Sequence, residues 1–239
     1  MVNTKLNNMI GAVSTEICQF LSSNLYNKNL SICLTGGRTA ERLYSDEKIQ
    51  LLLKKNLANY YFGDERCVAS NHIDSNYNLV LSTLFSDGIP PDIFVHKIRG
   101  DAPDADREAE RYGKLLPEFL DILLLTVGED GHIASLFPEH SLLSEESRLA
   151  ITICDAPKPP SARITISPVV IRSAKKTIVM ATGAKKGFVL AEALNNPKDI
   201  SQLPVRLTVG ATWVLDQSAA VAFREKKFPN LHGTRIVYA

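Results

Sequence analysis

The chain is poor in cysteine, in net charge and in long apolar runs, and each shortage removes a class of protein. Its four cysteines, Cys18, Cys33, Cys67 and Cys154, are scattered, with no C-x-x-C pair. That usage fits a reducing compartment better than a disulfide framework and offers no paired zinc-ligand spacing. Basic residues exceed acidic ones by a single charge over 239 residues, so no overall field draws the chain to nucleic acid or an anionic membrane. Any anion must therefore be held locally, by a few placed groups. The opening stretch MVNTKLNNMIGAVSTEICQF contains no long apolar run, and it reads as neither a secretory signal nor a membrane span. A cytoplasmic protein is expected. H-E-x-x-H, a Walker loop and a G-x-S-x-G elbow are also missing, so the expected chemistry uses no metal, no cofactor and no covalent serine or cysteine.

What is present is ordinary globular composition, 45% hydrophobic and 22% charged, ordered by clear periodicity. In residues 6–21, Leu6, Met9, Ile10, Val13, Ile17, Phe20 and Leu21 recur at helical spacing. Leu30–Leu34 is a short apolar run ended by Gly36-Gly37, followed by a helical stretch through Leu43 and Tyr44. Further strands are expected at 59–62, 93–98, 122–127, 149–153, 164–166 and 177–181, with helices at 76–85, 104–119, 168–173 and 185–194. The run from Asp121 to Val127 is apolar on both faces, as in the centre of a parallel sheet covered by helices on each side. The pattern predicts one α/β domain over residues 1–239, with a mainly parallel sheet flanked by helices on both faces, Rossmann-like and doubly wound. Ligands in such folds sit at the carboxyl ends of strands.

Four loops at predicted strand ends could carry chemistry. Thr35-Gly36-Gly37-Arg38-Thr39 opens a helix, where free N–H groups attract phosphate; Arg38 could add a forked contact, and Thr39 could cap the helix or donate its hydroxyl. A plain capped turn explains the same residues. Gly63-Asp64-Glu65-Arg66-Cys67-Val68 places three consecutive charges at a strand end, where they need solvent or partners. Arg66 then reads as a substrate-binding cation held by its acidic neighbours, and Ser75 as the cap of the helix at Asn76. Gly128-Glu129-Asp130-Gly131-His132 follows the most buried strand. Histidine, with an unperturbed pKa of about 6.5, shuttles protons at neutral pH, and Asp130 could orient it or bind substrate. The last group is Arg163 together with Gly183-Ala184-Lys185-Lys186-Gly187. Lys185, at a helix start, opposes the helix dipole and suggests an anionic ligand, whereas Lys186 reads as a solvated surface charge.

These loops, in this order, resemble the 6-phosphogluconolactonase family. Gly128-Glu129-Asp130-Gly131-His132-Ile133-Ala134-Ser135-Leu136-Phe137-Pro138 is similar to its G-x-D-G-H-T-A-S-L-F-P, and Asp64-Glu65-Arg66-Cys67-Val68 with Ser75-Asn76-Tyr77 to its D-E-R-x-V and S-N-Y. Arg163-Ile164-Thr165, Gly183-x-x-Lys186 with Lys185 beside it, Leu203-Pro204 and the segment from Trp213 to Ala220 resemble later motifs. The family's S-G-G-S-T-P loop reads Thr35-Gly36-Gly37-Arg38-Thr39-Ala40 here, with Arg38 in place of a small hydroxyl residue. Residues 224–239 match nothing. The resemblance implies hydrolysis of 6-phospho-D-glucono-1,5-lactone, with His132 and Asp130 catalytic and Gly36, Gly37, Arg38, Thr39, Arg66, Arg163 and Lys185 binding substrate. The related glucosamine-6-phosphate deaminase/isomerases read I-A-F-N-E-P and M-D-E-Y at the corresponding places, which disfavours that alternative. A sugar-phosphate sensor without turnover is a second alternative, opposed by the presence of a proton-transfer group. Neither reading sets the oligomeric state.

Overall fold

The computed structural model describes the backbone of residues 2–23, 29–55 and 57–239, with side chains from Asn8 onward. Helix α1 (Val2–Ser23) buries Met9, Val13 and Ile17 completely, one face of the expected pattern; the side chain of Leu6 lies outside the described residues. Then follow β1 (Leu30–Leu34), α2 (Arg38–Tyr44), α3 (Glu47–Lys54), β2 (Ala58–Phe62), β3 (Asp64–Arg66), α4 (Asn76–Ser82), β4 (Ile93–Val95), α5 (Ala105–Gly113) and β5 (Ile122–Thr126). The second half comprises β6 (Ala150–Ile153), β7 (Arg163–Ile166), α6 (Pro168–Ser173), β8 (Lys176–Ala181), α7 (Ala184–Ala193), β9 (Thr212–Leu215), α8 (Gln217–Glu225) and β10 (Arg235–Tyr238).

Seven strands form one sheet in the order β10-β9-β8-β5-β1-β2-β4, and every neighbouring pair is parallel. The chain runs outward from β1 to β2 and β4, returns to β5, and then runs the other way through β8, β9 and β10. With the right-handed crossovers that parallel strands adopt, the helices of these two runs fall on opposite faces, and the strand order is that of the expected doubly wound architecture. Helix α1 packs on α3 and crosses β8, β9 and β10, and α7 lies against α8. Ile122 to Leu125 of β5 are fully buried, as a strand covered on both faces requires. At the amino ends of the central strands, Asp121 accepts from the backbone N–H and hydroxyl of Ser31 and from Lys175, tying the starts of β1, β5 and β8.

Several expectations are corrected. The apolar runs that became β6 and β7 leave the main sheet and form, with β3, an antiparallel sheet in the order β3-β7-β6. Helix α5 ends at Gly113 rather than Phe119, because Pro117 disfavours helical backbone at the residue before it and cannot donate to the helix ladder. The unassigned C-terminal segment supplies β10, which extends the parallel sheet beyond β9. Among the described residues no helix is long and apolar enough to cross a membrane.

Candidate active site

The reversal of strand order falls between β1 and β5, and the segments leaving their carboxyl ends are the glycine loop and the histidine motif. The segment after β5 is tightly built. Gly128 N–H donates to the His132 carbonyl at 2.8 Å, and Ile133 bridges both Val127 and Leu136. These bonds fold residues 127–136 back on themselves and aim Asp130 and His132 at one another. His132 Nδ1 lies 2.5 Å from Asp130 Oδ1. Partial burial pushes the Asp130 carboxyl up, but the His132 hydrogen bond and charge, followed by Lys158, hold it well below the usual carboxylate range. An ionised carboxylate only accepts, so Nδ1 carries the ring proton in the neutral imidazole and Nε2 is left as the base. The ring is 18% exposed and packs against Phe137 with centroids 4.8 Å apart. Only glycine fits at 128: a Cβ there would stand 2.1 Å from His132 Nδ1 and 2.4 Å from Asp130 Oδ1.

Around this pair the structure distributes the cations unevenly. Arg163, expected at the substrate, is almost wholly internal, with its side chain 5% exposed. Nε donates to the Pro160 carbonyl at 2.9 Å, Nη2 to the Lys158 carbonyl at 2.7 Å and Nη1 to Ser135 Oγ at 3.3 Å. Its guanidinium also stacks over Phe137, so it straps the 158–160 loop onto the histidine segment. Ser135 Oγ donates to Asp64 Oδ2 at 2.6 Å, and Asn76 Nδ2 donates to Asp64 Oδ1 at 3.0 Å. Strands β3 and β7, the loop after β5 and the start of α4 thus share one buried polar network.

Arg66 is not held by its acidic neighbours. Its Nη1 donates to the Asp74 carbonyl at 2.7 Å, while Nε is buried with no partner. Glu65 turns inward instead. Its two oxygens accept from the backbone N–H groups of Arg66, Asn76 and Tyr77 and from Ser75 Oγ, which fastens the start of α4. Burial raises its pKa against those four hydrogen bonds. Ser75 does cap α4, accepting from Asn78.

The glycine loop after β1 enters α2 through Gly37, at φ 91°, a left-handed backbone that glycine adopts without strain. Gly36 lies so close to Asn76 that a Cβ would stand 1.8 Å from Oδ1. Thr39 is not the cap; it is buried and its hydroxyl meets that of Thr182 at 3.2 Å. That contact joins the β1 loop to the β8 loop across the end of β5. Arg38 is exposed. The two lysines of α7 differ in the opposite sense to the sequence reading. Lys185 is 77% exposed and its Nζ pairs with Glu129 at 3.0 Å. Lys186 is the half-buried one: burial lowers its pKa, with Arg38 and Lys158 adding to the effect and Glu129 and Asp216 opposing it. Helical phase, which two adjacent lysines do not disclose, decides which faces inward.

Sequence reasoning missed Lys158, Ser135 and Thr182. Lys158 stood in a proline-rich loop with no strand-end signal, yet its Nζ lies 3.3 Å from Asp130 Oδ2. Among the described residues no group of three or more His, Cys, Asp or Glu side chains is arranged to hold a metal.

A parallel doubly wound sheet with an Asp-oriented histidine and several cations at its switch point defines an α/β protein of the kind that binds ligands at the carboxyl ends of its strands. The chain belongs to the family described as glucosamine-6-phosphate isomerases/6-phosphogluconolactonase, whose sequence model matches residues 5–214. It is 37% identical over 171 residues to the human 6-phosphogluconolactonase, covering 66% of each chain. It is 30% identical over 219 residues to 6-phosphogluconolactonase 3 of Saccharomyces cerevisiae (strain YJM789), covering 84% of this chain and 87% of that one. Among solved structures, the 6-phosphogluconolactonase from Trypanosoma cruzi superposes with a TM-score of 0.75 at 29% identity, covering 90% of this chain and 93% of the other.

Proposed function

We propose that this chain hydrolyses 6-phospho-D-glucono-1,5-lactone to 6-phosphogluconate, with His132 as general base. The carrying observation is the 2.5 Å His132–Asp130 contact in a rigid loop at the switch point. Nε2 takes a proton from water as that water adds to the lactone carbonyl, and the imidazolium returns the proton to the departing ring oxygen. Asp130 fixes the ring and stabilises the imidazolium. Positioned acid–base catalysis supplies roughly 10²–10⁴-fold, enough for an ester that is already reactive.

The phosphate is assigned to the Gly36-Gly37-Arg38-Thr39 loop and Lys186, because the start of α2 offers free backbone N–H groups and the half-buried Lys186 ammonium lies within the field of Arg38 on that loop. Lys185 guards the rim through Glu129. Arg66, whose buried Nε lacks a partner, is assigned to a sugar or carboxylate oxygen that would satisfy it. Arg163 supports the site without touching substrate.

The test is a pH-stat assay on freshly generated lactone, corrected for spontaneous opening, with ammonia release from glucosamine 6-phosphate measured in parallel. Lactone turnover that falls at least 10²-fold in His132→Asn with KM little changed supports the reading. Full activity in that variant ends it, and ammonia release without lactone hydrolysis reassigns the chain to the deaminase branch of the family.

A further inference from the structure

A carboxylate pressed against an imidazole has two opposed effects. It orients the ring, but it also favours the charged imidazolium, which cannot act as a base. Here the second effect has a built-in counterweight. Asp130 Oδ1 faces His132, while Oδ2 faces the ammonium of Lys158 at 3.3 Å. Lys158 comes from the β6–β7 connection, far from the histidine in sequence. Its main-chain carbonyl is held by Arg163 Nη2 at 2.7 Å, that of Pro160 by Nε at 2.9 Å, and the same guanidinium stacks over the Phe137 ring that packs on His132. A buried arginine with a side chain 5% exposed thus fixes the loop that delivers the lysine, and the two are one device.

We propose that Lys158 is a positioning residue for the hydrolysis: shared between His132 and Lys158, the Asp130 carboxylate orients the imidazole without its whole charge acting on the ring. The inference rests on the reading of His132 as general base. The other charges facing this pair do not duplicate the role. Glu129 on the same segment is engaged by Lys185 of α7. Lys186 of α7 feels the charges of Glu129, Arg38 and Lys158 but bonds neither oxygen of Asp130, and Arg163 of β7 is committed to carbonyls, Ser135 and Asp64. Only Lys158 bonds the second oxygen of Asp130 among the described residues.

Lys158→Met and Lys158→Arg test it. The side chain is half exposed and the Arg163 bond uses the main chain, so the contact methionine removes is the one to Asp130 that is under test. With methionine, the acidic limb of kcat/KM against pH should move up by about half to one unit, the effect of one removed charge a few ångströms away, partly screened by solvent. KM should change little, and arginine should restore the profile. A merely structural role would lower activity at every pH without moving the limb. In parallel, the imidazole resonances of His132, followed by ¹⁵N NMR in enzyme without substrate, should titrate at higher pH in Lys158→Met than in the unsubstituted chain. An unmoved limb with an unmoved resonance overturns the proposal. If the unsubstituted chain fails to open the lactone, the proposed function falls, and the NMR comparison alone decides whether Lys158 governs the pair.

Discussion

Replacing Gly128 by alanine is the sharpest single perturbation the site offers. The added methyl would stand 2.1 Å from His132 Nδ1, 2.2 Å from Cε1 and 2.4 Å from Asp130 Oδ1, all distances at which one side must move. Backbone strain is not the issue, since Gly128 is absent from the positive-φ glycines. The atoms in the way belong to side chains, so the loop, held by the Gly128 N–H to His132 carbonyl bond, should survive while the imidazole rotates off its carboxylate. A misplacement of about 1 Å can cost roughly 10²-fold, and loss of the positioned base up to roughly 10⁴-fold. In the pH-stat assay kcat should therefore fall at least 10²-fold with KM nearly unchanged, and the thermal transition should shift only slightly. Because the two changes act on one unit, Gly128→Ala combined with His132→Asn should be no worse than His132→Asn alone. A Gly128→Ala enzyme with near-normal kcat would refute the reasoning, for it would mean that the observed His132–Asp130 geometry is not the working one.

Lys186→Met should raise KM for the phosphorylated lactone by about 10- to 100-fold, the loss of one charge-assisted hydrogen bond of roughly 1.5–3 kcal/mol, whereas Lys185→Met should shift KM by less than about threefold. Steady-state kinetics of the two variants side by side decide which lysine grips the anion. Glu65→Gln should destabilise the fold by about 2–4 kcal/mol in urea denaturation: the carboxylate accepts four hydrogen bonds, and an amide whose NH₂ faces two of those donors leaves them unsatisfied. An unchanged midpoint would show that the buried Glu65 cluster does not hold the start of α4.

The central architecture was legible because parallel strands covered on both faces must be apolar throughout. The runs at Leu30–Leu34, Ile122–Thr126 and Lys176–Ala181 therefore stood out, and glycines marked where each gave way to a loop. Strand β3 was not legible. Asp64-Glu65-Arg66 looks like a solvated loop, and its two acids are buried only because Ser135, 71 residues from Asp64, and the first turn of α4 supply donors. Strand β10 was missed for the opposite reason: it lies half exposed at the sheet edge and shows no continuous apolar run. In the site, His132 and Asp130 could be picked out because local backbone bonds alone bring them together. The cations could not be sorted, since Arg163, Lys185 and Lys186 differ in burial, which is a property of the packed chain.

That contrast follows from what each part of the site must do. A general base works only over tenths of an ångström, and the fold spends its rigidity there: an antiparallel fold-back over residues 127–136, a glycine that admits the imidazole, Phe137 beneath the ring, and Arg163 strapping a second loop against it. Ala134, held at φ 50°, is a non-glycine residue in the left-handed region, a mild strain accepted where the segment turns Ser135 inward toward Asp64. An anion needs only charge within reach, and the groups assigned to it, Arg38 and Lys186, lie on the first turns of α2 and α7, at the surface or half-buried. Substitutions among the gripping cations should therefore change KM and leave kcat, whereas changes as remote as Arg163→Lys should depress kcat, because a shorter fork cannot reach the Pro160 and Lys158 carbonyls together. Steady-state kinetics of Arg163→Lys settle the matter: a rise in KM with kcat intact would return Arg163 to the substrate and undo the division between a rigid base and an adaptable grip.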